Sequence, residues 1–275
     1  MKTLKREISL SGVGVHTGRD VRLILKPSTS GSLIFRRVDL GGMELCPDPR
    51  HIEAKNSTVL TGEKFRIQTV EHLMAALYAF GIDSLVVELD RDEVPFLDGS
   101  AVPFARAFLQ AGVKSLHLKK KCMKILKPFT LRDKDASFSF SPDSCLRLSY
   151  RIDYFHPAVR KQEVSLEMNA EIFLREIAPA RTFGFLRDVD ALRRQGLALG
   201  ASLDNTIALD EKKVVNGPLR FPDEFVRHKL LDLLGDLALL GFPLIGHFKG
   251  DRAGHYLHLK AVRFLLDNPE FWTYQ

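Results

Sequence analysis

The chain has 275 residues, 45% hydrophobic and 27% charged, which suits a globular protein with a sizeable core and excludes a disordered or fibrous one. A net charge of +6 fits an anionic substrate, a weak membrane-surface affinity or a merely solvated basic face. No Arg-rich tract or aromatic-spaced basic motif points to nucleic acid.

The opening MKTLKREISL lacks the apolar run of a secretory signal, and LALLGFPLIG is too short and too broken to cross a bilayer. Cys46, Cys122 and Cys145 have no C-x-x-C spacing, so a reducing interior of bacterial or organellar type is expected. SGVGVHTG reads as a hairpin turn presenting His16 near its tip, because its glycines do not have dinucleotide-fingerprint spacing. VRLILKP and SLIFRRVDL read as strands. TVEHLMAALYAFG reads as a helix with Thr69 as N-cap and Gly81 as its stop. SLVVELD follows as a strand, and VPFLDGSAVPF holds an Asp-Gly turn before the short helix FARAFLQAG.

The lysine run at 119–121 marks the expected junction between two domains, 1–120 and 123–275. In the second, ASFSFSP and LRLSYRIDY read as strands and EIFLREIAP as helical; ARTFGFLRDVDALRRQG, a helix at 225–236, LIGHFKG and YLHLKAVRFLLDN come after. Strands and helices mix without a βαβ rhythm, which favours α+β. Each half carries a helix with a histidine in its early turns that ends at a glycine and runs into a strand: His72 to Gly81, then SLVVEL, and His228 to Gly241, then PLIGHF. Duplication would leave such an echo, and so would chance.

The helix at 225–236 is FVRHKLLDLLGD. It sets His228, Asp232 and Asp236 four apart among leucines, one line on one face. Buried charge without a partner is costly, so this line calls for water, an ion-pair network or a metal. His228 and Asp232 have the one-turn reach with which H-x-x-x-H holds zinc; the bland alternative is a salt-bridged surface helix, which the flanking leucines disfavour. If His72 also ligates a metal, Glu71 lies beside it as a base; otherwise the pair marks an exposed helix start. His255 follows the Gly-rich loop GDRAG, with Arg252 close by, while His258 points to the opposite side if this segment is a strand. ARTFGF by itself is a loop with aromatic anchors around Thr182.

Together GVGVHTG, TVEHLMAAL, PFLDGSA, ARTFGF, GLALGASLDN, EFVRHKLLDLLGDL and GDRAGH resemble the UDP-3-O-acyl-N-acetylglucosamine deacetylase family, in order and over nearly the whole chain. These are zinc hydrolases of lipid A synthesis. The resemblance implies two similar α+β domains whose sheets sandwich the helices, with the active site at their interface. It implies zinc, or iron(II) in the cell, on His72, His228 and Asp232. Glu71 is then the general base, and His255 a general acid or charged stabiliser supported by Asp236. Thr182 polarises the carbonyl, and Lys229 is a further active-site residue. An insert at about 183–213 would pass the acyl chain along Phe183, Phe185, Val189, Leu199 and Ala201. Asp153, Tyr154, Lys229 and Arg252 would lie at the nucleotide end, and His16 is a further candidate for substrate contact. The implied partner is the UDP-linked 3-O-acyl sugar alone, for a cytoplasmic monomer without stable membrane insertion.

Three protein ligands leave a position open, as catalytic zinc requires. Two other readings stand beside this one. Two histidines and a carboxylate also form the facial triad of non-haem iron oxygenases, which usually sits on barrel strands. A non-catalytic nucleotide-sugar-binding module would leave the leucine-embedded polar line unexplained.

Overall fold

The computed structural model describes residues 1–54 and 56–275. In the first half, strands β1 (Ile8–Val13), β2 (Asp20–Pro27), β3 (Leu33–Arg37) and β4 (Met43–Leu45) precede the short strand β5 (Thr58–Thr61). Helix α1 (Glu71–Phe80), strand β6 (Leu85–Leu89) and helix α2 (Val102–Ala111) follow. Strand β6 lies between β2, antiparallel, and β3, parallel, giving the order β1-β2-β6-β3-β4.

The second half repeats this plan. Strands β7 (Phe129–Asp133), β8 (Ala136–Ser141), β9 (Leu146–Tyr154) and β10 (Arg160–Glu167) lead to an inserted unit of strand β11 (Phe183–Phe185), helix α3 (Leu186–Arg194) and strand β12 (Ile207–Leu209). Then follow helix α4 (Glu224–Ala238), strand β13 (Leu244–Asp251) and helix α5 (His255–Asp267). Strand β13 lies between β8, antiparallel, and β9, parallel, with β7 and β10 outside them. The sequence echo is therefore one part of a shared topology: α1 into β6 in one sheet matches α4 into β13 in the other. The architecture is α+β.

The strands follow their side chains. In β2 the buried residues Val21, Leu23 and Leu25 alternate with the less buried Asp20, Arg22, Ile24 and Lys26, the period of two that a half-buried strand requires. In β13 the inward places fall on Leu244, Gly246, Phe248 and Gly250. Gly250 faces Tyr150 of β9 across the parallel ladder, and a side chain there would overlap the tyrosine ring. Helices α1 and α4 pack on each other, while α4 also lies on β9 and β10, and α5 on β7 and β8. Among the described residues no helix is long and apolar enough to cross a membrane.

Three expectations change. Strand β3 stops at Arg37, and Val38–Leu40 turn into a 3-10 helix ended by Gly41 at φ +68°. The segment from His255 is helix α5, not a strand. Thr69 is not the N-cap of α1: Val70 takes that place, and Thr69 sits at φ +58° with its hydroxyl donating to Glu93 at 2.8 Å. Glu93 explains the exception. Its fully buried carboxylate also accepts from the backbone N–H groups of His16 (2.9 Å) and Thr17 (2.8 Å) and from the Thr17 hydroxyl (2.7 Å). One carboxylate thus ties the β1–β2 turn to the residue that precedes α1. Bonds to a charged group are worth about 1.5–3 kcal/mol each, so Glu93→Ala should cost about 3 kcal/mol or more. For a chain of this size that lowers the thermal midpoint by roughly 6 °C or more. An unchanged midpoint would contradict the assignment.

Candidate metal centre

Helix α4 has no wet face at its centre. Phe225, Val226, Leu230, Leu231, Leu233, Leu234 and Leu237 are buried, and so are His228, Asp232 and Asp236 between them. The polar line therefore points into the molecule, towards the start of α1. Gly235 permits that approach: a Cβ there would overlap the backbone carbonyl of Glu71. Two helices from opposite halves meet at a glycine, and that contact brings Glu71 and His72 alongside His228 and Asp232.

The donor atoms of His72, His228 and Asp232 all lie within 4.8 Å of one another. Asp232 Oδ1 stands 3.6 Å from His72 Nε2 and 3.4 Å from His228 Nε2, and the two imidazoles meet edge to face with centroids 5.0 Å apart. His228 Nδ1 donates to the carbonyl of Ala180 at 3.1 Å, which leaves the Nε2 lone pair facing the cluster. That carbonyl is held in place by Glu224 at the start of α4, whose carboxylate accepts from the Arg181 backbone N–H (3.0 Å) and guanidinium (2.9 Å).

Burial holds His228 down at about 4, against the pull of Asp232, so the ring is neutral and able to coordinate. Burial would raise the Asp232 carboxyl, but Lys229, His228 and His72 together keep it well below the usual carboxylate range. Lys229 Nζ donates to Asp232 Oδ2 at 2.7 Å, and this ion pair pushes its own pKa upward in spite of burial. Two imidazole nitrogens and one carboxylate oxygen form a donor set that suits zinc or iron(II), with His228 and Asp232 each held by a further hydrogen bond.

Glu71 borders the cluster. Its carboxylate accepts from the backbone N–H of Thr58 in β5 at 3.1 Å and lies 3.8 Å from His255 Nε2. Burial raises its pKa above the ordinary glutamate value. His255 opens α5, and its Nδ1 donates to Asp236 Oδ2 at 2.7 Å. Burial alone would lower the His255 pKa, yet Asp236, Asp232 and Glu71 carry it up to about 9.

Glu71, His72, His228, Asp232 and His255 line a cavity of about 730 Å³ that continues past Thr182, Phe183, Phe185, Val189 and Ala201 to Tyr154 and His16. One wall is the parallel pair β11–β12, in which Phe183 faces Ile207 and Phe185 faces Leu209. Phe183 is fixed against Phe225 of α4, with ring centroids 5.0 Å apart. Asp153, Arg252 and Leu199 are not part of the cavity lining. Asp153 pairs with Arg151 at 2.9 Å, Arg252 stands 3.4 Å from Asp251, and Leu199 is exposed beside the β1–β2 turn.

Sequence reasoning missed two buried partners. The Thr58 hydroxyl donates to Asp236 Oδ1 at 2.5 Å, and nothing in NSTVL signals it. His258 Nδ1 donates to Asp236 Oδ2 at 2.8 Å. As part of a strand it would have faced away from His255; one helical turn apart, the two rings share a carboxylate.

The sequence profile of the UDP-3-O-acyl N-acetylglycosamine deacetylase family matches residues 1–267. The chain is 42% identical over 267 residues to the UDP-3-O-acyl-N-acetylglucosamine deacetylase of Thermodesulfovibrio yellowstonii, covering 97% of this chain and 91% of that protein. It is 44% identical over 272 residues to the deacetylase of Myxococcus xanthus (98% and 87%) and 41% identical over 280 residues to that of Haemophilus influenzae strain 86-028NP (99% and 92%). The chain belongs to the UDP-3-O-acyl N-acetylglycosamine deacetylase family.

Proposed function

We propose that this protein hydrolyses the N-acetyl group of a UDP-linked 3-O-acyl-N-acetylglucosamine in lipid A biosynthesis, releasing acetate and the free 2-amine, with zinc held by His72, His228 and Asp232. The observation that carries the reading is the meeting of His72, from the first half, with His228 and Asp232 from the second. Zinc on these side chains would lower the pKa of a bound water to roughly 7 and polarise an amide carbonyl.

The chain's own groups supply the proton chemistry. Glu71, with its carboxyl raised by burial, takes the proton of the attacking water. His255, kept protonated by Asp236, faces Glu71 and Asp232 and supplies a proton or a positive charge as the amine leaves. Thr182, on the cavity wall, is the hydroxyl donor for the developing oxyanion. Lys229 acts first through Asp232, to which it is bonded. The aromatic wall of Phe183 and Phe185 in the 183–213 insert supports an acyl passage, with Val189 and Ala201 along it. Tyr154 and His16 line the same cavity and serve as further substrate contacts. The two repeats are read as domains 1–120 and 123–275, with the site between them and a cytoplasmic setting.

The test is acetate release from the UDP-linked sugar. A chelator should abolish it and added zinc should restore it. Undiminished release from metal-free protein would contradict the reading.

A further inference from the structure

Asp236 and His255 are used above, yet the same carboxylate holds a second imidazole that no step requires. Asp236 and His258 are fully buried. Asp236 Oδ2 accepts from His258 Nδ1 at 2.8 Å and from His255 Nδ1 at 2.7 Å, while Oδ1 accepts from the Thr58 hydroxyl at 2.5 Å. On its other edge His258 Nε2 lies 3.1 Å from the Tyr150 hydroxyl, which also reaches the Ala253 carbonyl at 2.7 Å. Tyr150 is itself fixed, since its ring occupies the space over Gly250. A continuous set of contacts thus runs from strand β9 through His258 and Asp236 to His255 at the cavity.

Apolar packing could fill this space without the desolvation cost of an imidazole and a phenol. A metal does not account for them. Ligands of one tetrahedral zinc stand roughly 3.3 Å apart, whereas 2.7 and 2.8 Å are hydrogen-bond lengths with a proton between the atoms. His255 on Oδ2 and Thr58 on Oδ1 set the plane of the Asp236 carboxylate, and a second donor on Oδ2, from the side away from the cavity, stiffens it further.

We propose that His258 and Tyr150 are positioning residues: His258 locks the Asp236 carboxylate that orients His255, and Tyr150 locks the His258 ring. The proposal rests on the deacetylase reading and adds to it a support reaching back into the sheet.

The test uses full-length, metal-loaded protein carrying His258→Leu, His258→Asn or Tyr150→Phe. Partners one step behind a metal site change activity about 10- to 100-fold when removed. His258→Leu should lose kcat in that range with KM, metal content and cooperative thermal unfolding retained. His258→Asn, whose amide can donate where Nδ1 does, should recover most of kcat, and Tyr150→Phe should fall between the two. The downfield Nδ1 proton of His255, read by NMR without substrate, should broaden or shift in His258→Leu and be restored in His258→Asn. Wild-type kcat in His258→Leu, equal impairment in the leucine and asparagine variants, or an unaltered His255 signal would each overturn the proposal. Absence of acetate release from the wild-type chain would overturn the deacetylase reading instead, and the NMR comparison would still decide the positioning role.

Discussion

Glu71→Gln is expected to retain one metal ion per chain and to lose roughly 100- to 10,000-fold in turnover, the range associated with removing a general base. The substitution keeps the size of the side chain and its contact with the Thr58 backbone, so it isolates proton acceptance from packing. The pH profile supplies the sign. Burial raises the Glu71 pKa, so activity in the wild-type chain should rise with pH through a limb above the ordinary glutamate value. His255 must carry its proton, so activity should fall as pH climbs through about 9. In Glu71→Gln the acid limb disappears while the alkaline limb stays. Wild-type turnover with full metal content would remove Glu71 from the base role.

The second large effect falls on a residue with no chemistry of its own. In an exposed helix Gly→Ala stabilises by about 1 kcal/mol. At Gly235 the sign should reverse, because the new methyl would meet the Glu71 carbonyl, a backbone atom that cannot turn aside. Overpacking of this kind costs about 1–3 kcal/mol. The larger consequence is geometric: α1 and α4 must move apart, and a displacement near 1 Å at a catalytic constellation can cost about 100-fold. Gly235→Ala should therefore unfold at a lower temperature, bind metal more weakly and lose most of its turnover. A more stable variant with normal turnover would show that the helices do not depend on this contact.

The helices that carry the site were legible because their patterns are strong. Alternation gave β2, β8 and β9, and Gly81 stopped α1 where expected. The polar line on α4 stood out because leucines surround it. What escaped notice was tertiary in origin. Thr69 looks like a helix cap in sequence but is claimed by Glu93, 24 residues away. Strands β7 and β10 went unread because their exposed faces dilute the apolar pattern. Thr58 joins the site only where β5 meets α4, and His258 only through a one-turn spacing on α5. Gly235 looks like a defect in its helix until α1 is seen against it. The seven quoted motifs supplied the family before any fold was known, and the helical setting of all three candidate ligands disfavours the oxygenase reading.

The most direct measurement is the zinc affinity of His72→Ala in folded protein. His72 is separated from His228 and Asp232 by more than half the chain, so only a shared ion makes it matter to their metal. The account predicts one zinc per wild-type chain and at least a tenfold weaker affinity in the variant. Wild-type zinc affinity in well-folded His72→Ala would contradict it.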